Sequence, residues 1–232
     1  MQNSQELVWY VCYGSNLLEE RFLCYIRGGS VPDRTFINRG CSDTTLPRRN
    51  QALEIPYALY FSGYSQVYEG GVGFLTDVPG ITPTKARAYL VTAEQFWEVI
   101  AQENALNHAV QPRPLSVIRT KGKLLLDDID QNYRLYNTVL YCGELENYPM
   151  LSFTTSETLT QAVPPSKDYL ITIAAGLRQS HRMSTTDIAD YLIDLSGIAS
   201  NYTYSELLNI LDSSVELVVT NDAIITESAR LT

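Results

Sequence analysis

Leu7-Val8-Trp9-Tyr10-Val11-Cys12-Tyr13-Gly14-Ser15-Asn16-Leu17 decides how this chain is read. Leu7 to Tyr13 is a short apolar run of strong β-formers, and Gly14 breaks it, which predicts a buried strand ending in a tight turn. Asn16 and Glu19 then form an N-x-x-E capping signal. Leu18, Phe22, Tyr25 and Ile26 follow at helical spacing until Gly28-Gly29 stops the helix. A strand that turns directly into a helix leaves backbone N–H groups without helical partners at the positive end of the helix dipole, a ready anion site. Gly14 lets the backbone approach a ligand closely, and Ser15 and Asn16 add side-chain donors. The same residues also describe a plain capped helix, which is the commoner use of this pattern.

The sequence around this stretch sets bounds. The chain has 232 residues, enough for a self-sufficient core, and its 45% hydrophobic and 19% charged residues are those of a globular protein. A net charge of -9, with no basic stripe, argues against a nucleic-acid partner. No run of apolar residues is long enough for a membrane span, and Met1 to Leu7 lacks the order of a signal peptide. Four cysteines without C-x-x-C spacing fit free thiols in a reducing cytoplasm. The two histidines, His108 and His181, lie far apart and fall in no metal-ligand pattern. Asp128, Asp130 and Asn132 imitate a calcium loop, but Tyr133 and Val139 stand where the glycine and the closing glutamate should be. The 16 tyrosines are the compositional outlier; they suit a polar-lined pocket as well as a sheet.

Further along, strands are expected at Leu53 to Tyr64, Gly70 to Thr76, Lys85 to Val91, Leu115 to Arg119, Gly122 to Leu126 and Tyr136 to Gly143. Thr92 and Gln95 form a T-x-x-Q capping box for a helix from Ala93 to about Leu106. After Pro164-Pro165 the texture becomes helical, with segments at Lys167 to His181, Thr185 to Leu195 and Tyr204 to Leu211, the second opened by Ser184 and Asp187. Val215 to Thr220 fits either a last strand or a helix tail. The expected layout is therefore an α+β body over residues 1–163 with a helical extension over 164–232 packed upon it.

On the Ala93 helix, Phe96, Val99, Ile100, Glu103 and Leu106 share one face, so Glu103 stands where an apolar residue belongs. Loss of hydration there raises a carboxylate's pKa towards the range useful for general acid/base work. The alternative is a glutamate that bends to solvent or pairs with an arginine.

Taken together these residues resemble the gamma-glutamylcyclotransferase-like family. The parts come in the family's order: Tyr13-Gly14-Ser15-Asn16-Leu17 after an early strand, Gly70-Gly71-Val72-Gly73-Phe74-Leu75, Ala86-Arg87-Ala88-Tyr89-Leu90-Val91, then a helix carrying Glu103. The resemblance covers roughly residues 8–145 and implies a small, distorted mixed β-barrel with flanking helices and a pocket at one mouth. It implies that Glu103 is the catalytic acid/base and that Tyr13, Gly14, Ser15, Asn16 and Leu17 bind substrate. The implied reaction is cleavage of a γ-glutamyl amide by its own α-amine, releasing 5-oxoproline without metal or cofactor. Asn104 replaces the glycine that follows the glutamate in many members, and the chain is longer than the minimal barrel, as in a longer, bacterial-type subgroup. A different amide-cleaving enzyme on the same barrel, or a non-catalytic module for an acidic small molecule, would share the loop.

Overall fold

The computed structural model describes residues 6–31, 37–127, 136–156 and 159–214. Its centre is β1 (Leu7–Cys12), buried along its whole length. Side chains alternate across a strand, so a strand buried on both faces must be apolar throughout. Val8, Tyr10 and Cys12 point into one core, and Leu7, Trp9, Val11 and Tyr13 into another. A 3-10 turn, Ser15–Leu17, and the helix α1 (Glu19–Arg27) follow directly.

The sheet is completed by β2 (Arg49–Ile55), β5 (Thr84–Thr92), β6 (Lys123–Leu125), β7 (Thr138–Leu145) and β8 (Tyr148–Thr154), in the order β2-β5-β1-β8-β7-β6. It is a mixed sheet: β1 runs antiparallel to β5 and parallel to β8. A separate hairpin pairs β3 (Leu59–Ser65) with β4 (Gly70–Leu75). Thr154 stitches the hairpin to β8, accepting from the Leu75 N–H at 3.0 Å and donating to the Leu75 carbonyl at 2.6 Å. The barrel-like body thus has two walls joined at this seam by a side chain rather than by a ladder.

The helix α2 (Ala93–Glu103) packs on the Val8/Tyr10 face; it opens with the expected Thr92–Gln95 capping box and ends at Glu103, short of Leu106. On the opposite face lie α4 (Lys167–His181), α5 (Thr185–Leu192) and α6 (Tyr204–Asp212). Tyr169, Leu170, Ile173 and Leu177 of α4 join the Trp9/Val11 core together with Ile188 and Leu192 of α5 and Leu207 of α6. Ser184 and Asp187 form the capping box of α5.

Two local expectations are corrected, and one strand was not foreseen. Leu53 to Tyr64 is two strands, because Pro56 lies between β2 and β3 and cannot donate to a ladder. Leu115 to Arg119 is not a strand but part of the helix α3 (Leu115–Lys121), whose buried Leu115 and Ile118 are three apart and whose end is set by Gly122 in the left-handed region. The central strand β8 has no counterpart in the sequence reading, because Pro149 near its start argues against a strand until its position at the strand's end is known. The calcium-like run at Asp128, Asp130 and Asn132 and the stretch Val215 to Thr220 lie outside the described residues.

Candidate functional site

The turn after β1 and the last residue of α2 meet. Asn16 Nδ2 donates to Glu103 Oε1 at 2.8 Å, across 87 residues of sequence, and to the Tyr10 hydroxyl at 3.0 Å. Asn16 is buried and does not cap α1: the helix starts at Glu19 after Leu18, which supplies no side-chain cap. The capping reading of Asn16 is therefore corrected. A one-turn 3-10 segment separates Asn16 from the helix and aims its amide at the carboxylate instead.

The backbone of the turn is partly committed. The Leu17 N–H donates to the Gly14 carbonyl at 3.0 Å and the Leu18 N–H to the Ser15 carbonyl at 3.1 Å. Tyr169, from the start of α4, brings its hydroxyl up to Gly14 of the turn. The Gly73 N–H approaches the same hydroxyl at 3.4 Å. A Cβ on Gly14 would stand 2.7 Å from that hydroxyl, so the glycine admits the tyrosine. Tyr13 and Leu17 turn their side chains into the core, Tyr13 donating to the Phe153 carbonyl at 2.8 Å.

Glu103 is half-buried and sits among aromatic and amide groups. Burial pushes its carboxyl above the ordinary carboxylate range; the Arg21 guanidinium and hydrogen bonds from Asn16 and Tyr25 pull the other way without cancelling the rise. Arg21 is buried on α1, donating through Nη1 to Asn38 Oδ1 and through Nη2 to the Tyr25 hydroxyl, each at 2.7 Å. With the Tyr25 oxygen occupied by the guanidinium, its own proton is directed to Glu103. Tyr10, Tyr13, Tyr25 and Tyr136 are all held well above the usual phenol range by burial, so each is a neutral donor at physiological pH. Asn104 closes α2 by donating to the Ile100 and Tyr136 carbonyls at 3.0 and 2.9 Å and accepting from the Tyr136 N–H at 2.9 Å. Asn104 thus fixes the helix end that presents Glu103.

Sequence reasoning selected the two poles of this arrangement and missed what lies between them. Tyr10, Tyr25 and Tyr169 read as members of apolar stripes. Arg21 carried the usable signal: a cation one turn before Tyr25, on the buried side of a short helix. A surface groove of about 410 Å³ between α4 and α6, lined by Lys167, Ile171, Tyr202, Glu206 and Ile210 among others, contains none of the site residues. Among the described residues no group of three or more His, Cys, Asp or Glu gathers to hold a metal ion, and no helix is long and apolar enough to cross a membrane.

Comparison with solved structures finds likenesses of modest score. A structure described as gamma-glutamyl cyclotransferase aligns over 90% of this chain and 99% of its own, with 16% identity and a TM-score of 0.46. The chain is similar to gamma-glutamyl cyclotransferase. An uncharacterized protein from Homo sapiens aligns over 88% of this chain and 99% of its own, at 16% identity and a TM-score of 0.47. YkqA from Bacillus subtilis aligns over 81% and 54%, at 13% identity and a TM-score of 0.43. By sequence, histone deacetylase 5 of Arabidopsis thaliana is 30% identical over an alignment of 201 positions that covers 80% of this chain. The chain spans only 30% of the length of that relative. No protein-family model matches the chain.

Proposed function

We propose that this protein cleaves a γ-glutamyl amide by intramolecular acyl transfer, releasing 5-oxoproline and an amine or amino acid. The observation that supports the reading most is the contact between Asn16 and Glu103, which puts an acid/base carboxylate against the turn proposed to hold the substrate. The substrate's neutral α-amine attacks the γ-carbonyl, a carbon–nitrogen bond forms to close the ring, and the original amide carbon–nitrogen bond breaks. Glu103 takes the proton released by the attacking amine and delivers it to the departing nitrogen, so the proton balance closes on one carboxylate. Its raised pKa narrows the gap to both nitrogens. Bending the glutamyl arm inside the site converts the attack into a near-attack arrangement, and effective concentration supplies much of the rate.

In this reading the substrate's α-carboxylate lies against the turn from Tyr13 to Leu17. Gly14, Ser15 and Asn16 meet it; the side chains of Tyr13 and Leu17 only shape the backbone. No step is routed through a metal or cofactor. Residues 1–163 carry the chemistry, and the helices α4 to α6 that follow belong to the same compact unit. The partner is a small γ-glutamyl compound rather than a nucleic acid or a membrane. All four cysteines are free thiols, which suits a reducing, cytoplasmic setting.

The test is a product assay on a panel of γ-glutamyl amines and amino acids, reading 5-oxoproline. Release that is abolished in Glu103→Gln supports the proposal. No 5-oxoproline from any member of the panel removes it, and another amide product would assign a different amide-cleaving enzyme. Binding of panel members without turnover would assign a non-catalytic module.

A further inference from the structure

The first helix lacks a cap of its own, and the cap comes from the far end of the chain. Gln179, on the last turn of α4, accepts the Glu19 N–H on Oε1 at 3.0 Å and so satisfies the first orphan N–H of α1 from outside the helix. The same oxygen accepts from Arg87 Nη1 at 2.5 Å, and Gln179 Nε2 donates to the two Glu20 carboxylate oxygens at 3.2 and 3.3 Å. Arg87, on β5 and almost wholly buried, also donates to the Leu17 carbonyl at 3.1 Å, to Glu19 Oε2 at 2.6 Å and to Asn50 Oδ1 at 2.8 Å. Every donor and acceptor of this cluster touches residues 17–20 or holds a group that does. At Gly176, one turn earlier on α4, the helix backbone lies so close to the turn that a Cβ would come within 2.4 Å of Leu17 C and Leu18 N.

We propose that Gln179 and Arg87 are positioning residues for the turn at Ser15 to Leu18. Resting on the reading above, their work is to take over the capping of α1, so that the Asn16 amide is released to hold Glu103. A short polar residue before a helix ordinarily bonds its own helix N–H groups. Here that bond would swing Asn16 away from the carboxylate. The clamp removes the incentive by satisfying the Glu19 N–H from outside and by pinning the Leu17 carbonyl. Through Gln179 the extension beyond Pro164 is then part of the catalytic geometry.

Gln179→Leu keeps the volume and removes the bonds. With the clamp acting as described, kcat falls about tenfold to a hundredfold, with a smaller change in KM, as for a misplacement of the reacting groups by about 1 Å. Amide hydrogen exchange at Ser15 to Glu19 quickens about tenfold or more while the rest of α1 and α4 keeps its protection. The paired exchange Glu20→Gln with Gln179→Glu restores an acceptor for Glu19 and Arg87 and a donor facing it from position 20; both readouts return to within about threefold of the parent. Unchanged exchange at Glu19 in Gln179→Leu overturns the clamp. Quickened exchange with unchanged kcat overturns the positioning role, as does a paired variant no better than the single one. A parent protein that yields no 5-oxoproline refutes the proposed reaction, and the exchange measurement then decides the clamp by itself.

Discussion

Gly176→Ala adds one methyl group at the closest approach between α4 and the turn. The added Cβ would lie 2.4 Å from Leu17 C and Leu18 N and 2.5 Å from Leu17 Cβ, where ordinary contact begins near 3.4 Å. Two of those three neighbours are backbone atoms and cannot rotate away, so α4 and the turn must separate by about 1 Å. On an exposed helix the same change would stabilise by about 1 kcal/mol. Overpacking here costs about 1–3 kcal/mol and strains the Gln179 bonds as well, so the sum is a net loss of about 1–2 kcal/mol. For a chain of this size that lowers Tm by about 2–8 °C. The larger consequence is geometric. The Asn16–Glu103 bond is 2.8 Å long and begins one residue from the displaced segment, so a 1 Å movement breaks or bends it. Misalignment of that size lowers turnover about a hundredfold. The assay pairs thermal unfolding with 5-oxoproline release. A Gly176→Ala protein with the parent Tm and the parent kcat would refute the claim that α4 templates the turn. A lower Tm with full turnover would confine α4 to stability.

Glu103→Gln is expected to lower turnover by at least about a hundredfold, read in the same product assay. It also tests linkage. Because the folded-state pKa of Glu103 is raised, the folded form holds its proton more tightly than the unfolded chain, and Glu103 costs stability as pH rises through and above the ordinary carboxylate range. The Gln variant should therefore be at least as stable as the parent at neutral pH, with the advantage vanishing in acid; an advantage that grows in acid would refute the assignment. Arg21→Gln removes the cation that favours ionised Glu103, so the acidic limb of the pH–rate profile should move to higher pH, whereas an unmoved limb would leave Arg21 a purely structural group. Tyr169→Phe removes the hydroxyl that meets the turn and should raise KM for the γ-glutamyl substrate about tenfold, roughly the worth of one lost hydrogen bond. A chain ending before Pro164 exposes Trp9, Val11 and Leu17 and should be insoluble on expression, which a soluble fragment would contradict.

Where local chemistry decides the structure, the sequence was legible. β1 reads as a doubly buried strand because every residue from Leu7 to Cys12 is apolar, and it is buried throughout. The Thr92–Gln95 and Ser184–Asp187 boxes start helices where they should, since both halves of each bond lie within four residues. Lys167–His181 has the bounds its stripe predicts. Readings failed where a residue's meaning depends on distant chain. Pro149 disfavours a strand locally, yet β8 is central because the prolyl position falls at its start. Leu115 to Arg119 has too few residues for periodicity to separate helix from strand, and packing of Ile118 decides it.

Asn16 shows the same dependence at the site. Its sequence context, three residues before Glu19, is that of an N-cap, and local energetics favour that use. Three features from elsewhere reverse the preference. Gln179 satisfies the helix N–H that Asn16 would have served, Arg87 holds the Leu17 carbonyl, and Tyr10 and Glu103 offer acceptors for both amide protons. None of the four lies close to Asn16 in sequence except Tyr10, which reads as a strand residue. Glu103 is the mirror case: a carboxylate on an apolar helix face is visible as an anomaly, but whether it finds a counter-charge is not. Arg21 and Tyr25 answer that from α1, and they do so incompletely, since burial still outweighs them and the carboxyl stays raised. A fully paired Glu103 would be a structural ion pair with a depressed pKa and no use as a proton carrier. Two neutral donors and a cation held one phenol away leave the group ionisable in both directions, which is what a single carboxylate that must take and then return a proton requires.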